Sequence, residues 1–141
     1  MMRFSQTRWP LSLAELGLFS DCSPRELRRI GSLLTGLQVP TGEVLISEGS
    51  TGLEFLIIAA GEASVTVNGR SIATLGTGDF MGEMALLERV PRSATVRATT
   101  PMTFFVSNSA EFATLLEIAP SVREKVQAAA ERRTQANVLA A

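Results

Sequence analysis

Ala63-Ser64-Val65-Thr66-Val67-Asn68-Gly69-Arg70-Ser71-Ile72-Ala73-Thr74-Leu75 holds two runs of strand-forming residues split by Asn-Gly. The first run alternates apolar and polar side chains, the period of a strand with one face buried. Asn and Gly both tolerate positive φ, which a two-residue hairpin turn demands at its two central positions. The stretch therefore predicts a tight β-hairpin. Similar runs lie on either side of it: Glu43–Ser47 and Glu54–Ile58 before, Thr95–Thr99 and Met102–Val106 after. Gly42, Gly49, Gly52, Gly61, Gly76 and Gly78 punctuate them at short intervals. Many short strands with frequent glycine turns argue for a sandwich or barrel rather than alternating strand and helix.

Helical signals flank this β-rich centre. Ser12 with Glu15, Ser23 with Glu26, Asn108 with Glu111 and Ser121 with Glu124 each have the spacing of a capping box. Pro24 stands where a first helical residue would, its fixed φ already suited to the helix. Helices are expected near 12–18, 24–35 and 109–117, with a longer one over 121–137 whose Val122, Val126 and Ala129 or Ala130 recur at helical spacing. The predicted fold is mostly β with flanking helices: a small β-barrel or jelly roll with N-terminal helices and a C-terminal lid helix. One domain is expected over 1–141, made of a helical part at 1–36, the β part at 37–108 and C-terminal helices at 109–141.

Composition narrows the function classes. The chain has 141 residues, 45% of them apolar and 19% charged, enough to bury a core without staples. Its net charge of −1 gives no footprint for nucleic acid. It has no histidine, which removes the commonest metal ligand and general base, so neither a metal site nor a catalytic residue is expected. Cys22, the sole cysteine, cannot form an internal disulfide, and a buried or semi-buried inert thiol is expected there. No apolar run approaches a membrane span, and residues 1–10 lack the apolar core of a secretory signal, so a cytoplasmic location is expected. Twelve of the 13 basic residues are arginine, which fits a GC-rich bacterial source. Met81, Met84 and Met102 read as core filler, and Arg25, Arg28 and Arg29 as a solvated helix face. Trp9 could cover the β part or dock a partner.

Gly76–Ala94 breaks the strand pattern and carries the unusual residues. After Gly82, Glu83-Met84-Ala85-Leu86-Leu87 favours one short helical turn, whose first N–H groups lack partners. Gly82 lets another group approach the backbone. Arg92 follows nine residues after Glu83 and would clamp a phosphate through its planar fork, with the Ser93 hydroxyl beside it. Glu83, repelled by a phosphate, makes sense as the acceptor for a sugar hydroxyl on the same ligand. The plainer alternative is a surface Glu83–Arg92 ion pair worth under about 1 kcal/mol.

Phe80-Met81-Gly82-Glu83-Met84-Ala85-Leu86-Leu87 followed by Pro91-Arg92-Ser93-Ala94-Thr95-Val96 resembles the phosphate-binding cassette of cyclic-nucleotide-binding domains, here at 80–94. Leu18-Phe19, Gly42-Glu43-Val44-Leu45, Glu48-Gly49 and Gly61 with Val65 and Val67 extend the resemblance to about residues 15–135. Met81 departs from it, standing where an aromatic often precedes the glycine. The resemblance implies a cyclic-nucleotide ligand, cAMP more than cGMP. Arg92, with Ser93, Ala94 and backbone N–H groups around Met84 and Ala85, would take the phosphate, and Gly82 and Glu83 the ribose 2′-hydroxyl. In bacterial channel relatives an arginine near the end of the C-terminal helix covers the base. Arg132, in Glu131-Arg132-Arg133, is the candidate here, with a solvated helix face as its plainer reading. A regulatory module is thus expected, acting on an unknown effector, with no direct nucleic-acid binding because no helix-turn-helix is legible. The alternative is a relative that no longer binds ligand and serves as a protein-interaction domain.

Overall fold

The computed structural model describes residues 2–4 and 13–140. The hairpin forms as read. β5 (Ala63–Val67) pairs antiparallel with β6 (Arg70–Leu75), and the turn between them has Asn68 at φ 52° and Gly69 at φ 78°. β3 (Val44–Ile46) and β8 (Thr95–Ala98) complete a four-stranded sheet in the order β3-β8-β5-β6. A second sheet runs β1-β2-β9-β4-β7, from β1 (Met2–Phe4), β2 (Thr35–Val39), β4 (Glu54–Ala60), β7 (Phe80–Met81) and β9 (Met102–Asn108). Every pairing is antiparallel. The strands make an open roll of two sheets and not a closed barrel.

β4 is the middle of the molecule. Leu56 and Ile58 point between the sheets, among Val39, Ile46, Val65, Val96 and Phe104. Phe55, Ile57 and Ala59 point the other way, among Leu16, Phe19, Ile30, Phe112, Leu115, Val122 and Val126 of the helical layer. Burial on both faces explains why this strand is a continuous apolar run while β5 alternates. The Phe55 ring lies 4.7 Å from that of Phe112 and 5.6 Å from that of Phe80, so the strand, the helical layer and the cassette meet at one side chain.

Two of the capping boxes close at both ends. Ser23 starts α1 (Pro24–Gly31), with Glu26 N donating to Ser23 Oγ at 3.1 Å and Ser23 N to Glu26 Oε1 at 2.8 Å. Asn108 starts α3 (Ser109–Ile118) in the same way. Ser121 caps nothing: α4 (Pro120–Ala140) already includes it, and its hydroxyl lies 3.7 Å from Cys22 Sγ. Burial pushes the Cys22 thiol pKa up. Ser12 and Trp9 lie outside the described residues. The helix expected over 12–18 is two 3₁₀ turns, Leu13–Glu15 and Gly17–Phe19, and α1 ends four residues short of its expected end.

α4 packs on α3, on the Gly17–Phe19 turn and on the short helix α2 (Glu83–Glu88), with Val122, Val126, Ala129 and Ala130 buried. Lys125 ties it to the N-terminal turns: Nζ donates to the Gly17 carbonyl at 2.9 Å and pairs with Asp21 at 2.9 Å. Among the described residues no helix is long and apolar enough to cross a membrane.

Candidate functional site

The chain turns sharply between β7 and α2. Gly82 has φ 95°, a left-handed value that favours glycine, and a Cβ there would run into the Glu54 carbonyl. This tight passage brings Glu83 inside. Its side chain is fully buried, so a surface ion pair is not what these residues make. Arg133 of α4 pairs with Oε1 of Glu83, whereas Oε2 has no partner among the described residues. Burial raises the Glu83 pKa above its ordinary 4.5, and the positive charges of Arg133 and Arg92 oppose that rise.

Arg92 is also buried, with only 8% of its surface exposed. Its backbone is held by the preceding loop: Arg92 N donates to the Ser50 carbonyl at 2.9 Å, and Gly49 N to the Arg92 carbonyl at 2.8 Å. Nη2 donates to the Glu54 carbonyl at 2.9 Å and Nη1 to the Gly82 carbonyl at 3.3 Å. Its side chain runs directly over Gly52, where a Cβ would overlap the guanidinium group. Burial lowers its pKa, while the carboxylates of Glu54 and Glu83 favour the charged form.

Both residues line one cavity of about 220 Å³. One side of it carries the polar side chains of Glu83, Arg92 and Ser93, with Gly82, Met84 and Ala94 beside them. The other is apolar, with Val65, Val67, Ile72, Ala73 and Leu75 from the hairpin, and Ile46 and Val96 beside them. Ile72 is 57% exposed at the open lip of this wall. Arg133 lines the cavity from α4. Besides Glu83 it engages Phe80, through Nη2 to the carbonyl at 2.8 Å and through a guanidinium group 5.5 Å from the ring centroid.

Residues 37–118 match the family model described as "Cyclic nucleotide-binding domain". The chain belongs to this family. A cyclic nucleotide-gated potassium channel of Mesorhizobium japonicum is 36% identical over 116 residues, 82% of this chain and 32% of the channel. A cAMP-dependent protein kinase regulatory subunit of Yarrowia lipolytica is 41% identical over 92 residues, 64% of this chain and 24% of the subunit. The solved cAMP-bound structure of PfPKA-R superposes with a TM-score of 0.73 at 29% identity, covering 82% of this chain and 41% of that one. The cyclic nucleotide-binding domain described here spans about a third or less of these two curated relatives.

Of the residues singled out in the sequence, Gly82, Glu83, Met84, Arg92, Ser93 and Ala94 come together around the cavity of this cyclic nucleotide-binding domain. Ala85 is the third residue of α2, and its side chain lies outside the described residues. Arg132 is exposed and does not line the cavity; its neighbour Arg133 does. Met81 and Met102 are core residues, and Met81 and Met84 line the cavity. The hairpin wall was missed, although the alternation that predicted β5 already gave Val65 and Val67 a shared face.

Proposed function

We propose that the chain binds a cyclic purine nucleotide, cAMP in preference to cGMP, in the cavity between the cassette and the β5–β6 hairpin, and that binding biases α4. The observation that carries this reading is one small cavity holding a buried guanidinium and a buried carboxylate with an unpartnered oxygen. A cyclic nucleotide offers the partner for each: a phosphate for Arg92 and a ribose hydroxyl for Glu83. Arg92 rests on two uncharged carbonyls, and a phosphate would give it stronger, charge-assisted bonds. Ser93, Ala94 and the N–H groups around Met84 and Ala85 would hold the same phosphate. The base would lie on Val65, Val67 and Ile72. These apolar side chains offer a purine contact area and no hydrogen bond, so they separate adenine from guanine weakly. Ligand would favour whichever position of α4 binds it better, and the effector would read that position. Relatives carrying such domains include channels, kinase regulatory subunits and an acetyltransferase, which supports reading this module as a sensor for an effector protein or domain.

Titration calorimetry with cAMP and cGMP tests this. Both are expected to bind, with cAMP favoured by less than about tenfold, or 1.4 kcal/mol. Heat from neither nucleotide, with the chain folded, would overturn the reading in favour of a relative that serves only as an interaction domain.

A further inference from the structure

We propose that Arg133 is a positioning residue for sugar recognition: by occupying Oε1 of Glu83 it reserves Oε2 for a ribose 2′-hydroxyl, so the C-terminal helix reads the sugar and not the base. This deepens the function proposed above and rests on it. The guanidinium of Arg133 is fixed by three contacts, none of them on the apolar wall where a base would lie. Nη1 donates to Glu83, Nη2 donates to the Phe80 carbonyl, and the group sits against the Phe80 ring. Phe80 in turn is packed against Phe55, so Arg133 is referenced to the middle of the fold. The other charged side chain near Glu83, Arg92, donates to backbone carbonyls and not to the carboxylate.

A fully buried carboxylate oxygen without a partner is an acceptor waiting for a donor. Arg133 keeps that carboxylate charged and oriented. Without it, burial favours a protonated carboxyl, which can rotate to hydrogen-bond the Phe80 or Gly82 neighbourhood and no longer demands a hydroxyl from the ligand. A ligand lacking the 2′-hydroxyl leaves Oε2 unsatisfied in the wild-type site and not in the variant. Lid closure and sugar choice are therefore coupled through the two oxygens of one side chain.

The test is calorimetric titration of the full chain, and of Arg133→Ala, Arg133→Lys and Arg132→Ala, with cAMP, 2′-deoxy-cAMP and cGMP, after circular dichroism has established folding. The wild type is expected to bind cAMP about tenfold or more tighter than the deoxy analogue. Arg133→Ala is expected to bring that ratio to within about threefold, Arg133→Lys to restore part of it, and Arg132→Ala to leave it alone. The ratio of cAMP to cGMP is expected to stay within about twofold in all of them. A full 2′-hydroxyl preference in Arg133→Ala, or a change in base preference alone, overturns the inference. Should Arg133→Ala not fold, an unchanged ratio in Arg133→Lys overturns it equally. A wild-type chain that binds no nucleotide overturns the function on which it rests.

Discussion

Arg92 reaches the cavity over the bare Cα of Gly52 and bonds the carbonyls of Glu54 and Gly82 on the way. Lysine could follow the same path with its charge but could not bond two acceptors in one plane. Arg92→Lys is expected to weaken nucleotide binding by one to two orders of magnitude, about 1.4–2.8 kcal/mol, with thermal unfolding nearly unchanged; calorimetric titration checks it. Glu83 makes a separate, pH-dependent prediction. Burial raises its pKa in the folded chain, against Arg133 from α4 and Arg92 from the loop after α2, while Glu54 at the start of β4 faces Arg92. The folded state thus holds the proton more tightly than the unfolded chain. The resulting stability is present in full below the ordinary carboxylate value of 4.5 and is lost as pH rises through the raised one. Urea unfolding of wild type and Glu83→Gln across this window is expected to show the wild type losing stability relative to the variant as pH rises. Parallel curves would mean that Glu83 titrates alike in both states. Which arginine of the C-terminal helix meets Glu83 was legible in principle. Val122, Val126, Ala129 and Arg133 follow one another at steps of 4, 3 and 4 residues, so they share a stripe that Arg132 leaves by about 100°.

Elements with a chemical start or stop signal were read well, and those defined only by their partners were not. The β5–β6 hairpin announced itself in Asn68-Gly69, and α1 and α3 in their caps. Ser121 had the spacing of a cap without its role, because Pro120 could begin the helix one residue earlier and the hydroxyl turned to Cys22. β7 has two residues and exists because Leu56 and Ile57 of β4 receive it. β2 contains Gly36 and Gln38, and its pairing with β9 overrides their weak strand preference. The same pairing ends α1 early, since Thr35 is already opposite Val106. Caps that do form have a measurable worth. Asn108→Ala removes the acceptor for Glu111 N at the start of α3 and is expected to lower stability by about 1 kcal/mol in urea unfolding. Because α3 carries Phe112 and Leu115 in the core and not the cavity residues, nucleotide affinity is expected to stay within about twofold.

On the scale of the whole molecule, three layers stack: the hairpin sheet, the sheet centred on β4, and the helices. The sequence made the first and third evident, because a strand or helix with one buried face shows its period. The middle layer was visible only as an unbroken apolar run, whose two-sided burial depends on what lies above and below it. The two-sided burial of β4 also divides the motions open to the site. Backbone amides in a strand hydrogen-bonded on both edges and covered on both faces become accessible to solvent only when the whole fold comes apart, whereas the last turns of a helix can leave and return on their own. Ile57, paired with Phe80 on one edge and Phe105 on the other and buried, belongs to the first class, and the Arg133 end of α4 to the second. On the function proposed above, a ligand arriving at this cavity would be held on the α4 side by a latch that opens many times within the lifetime of the fold.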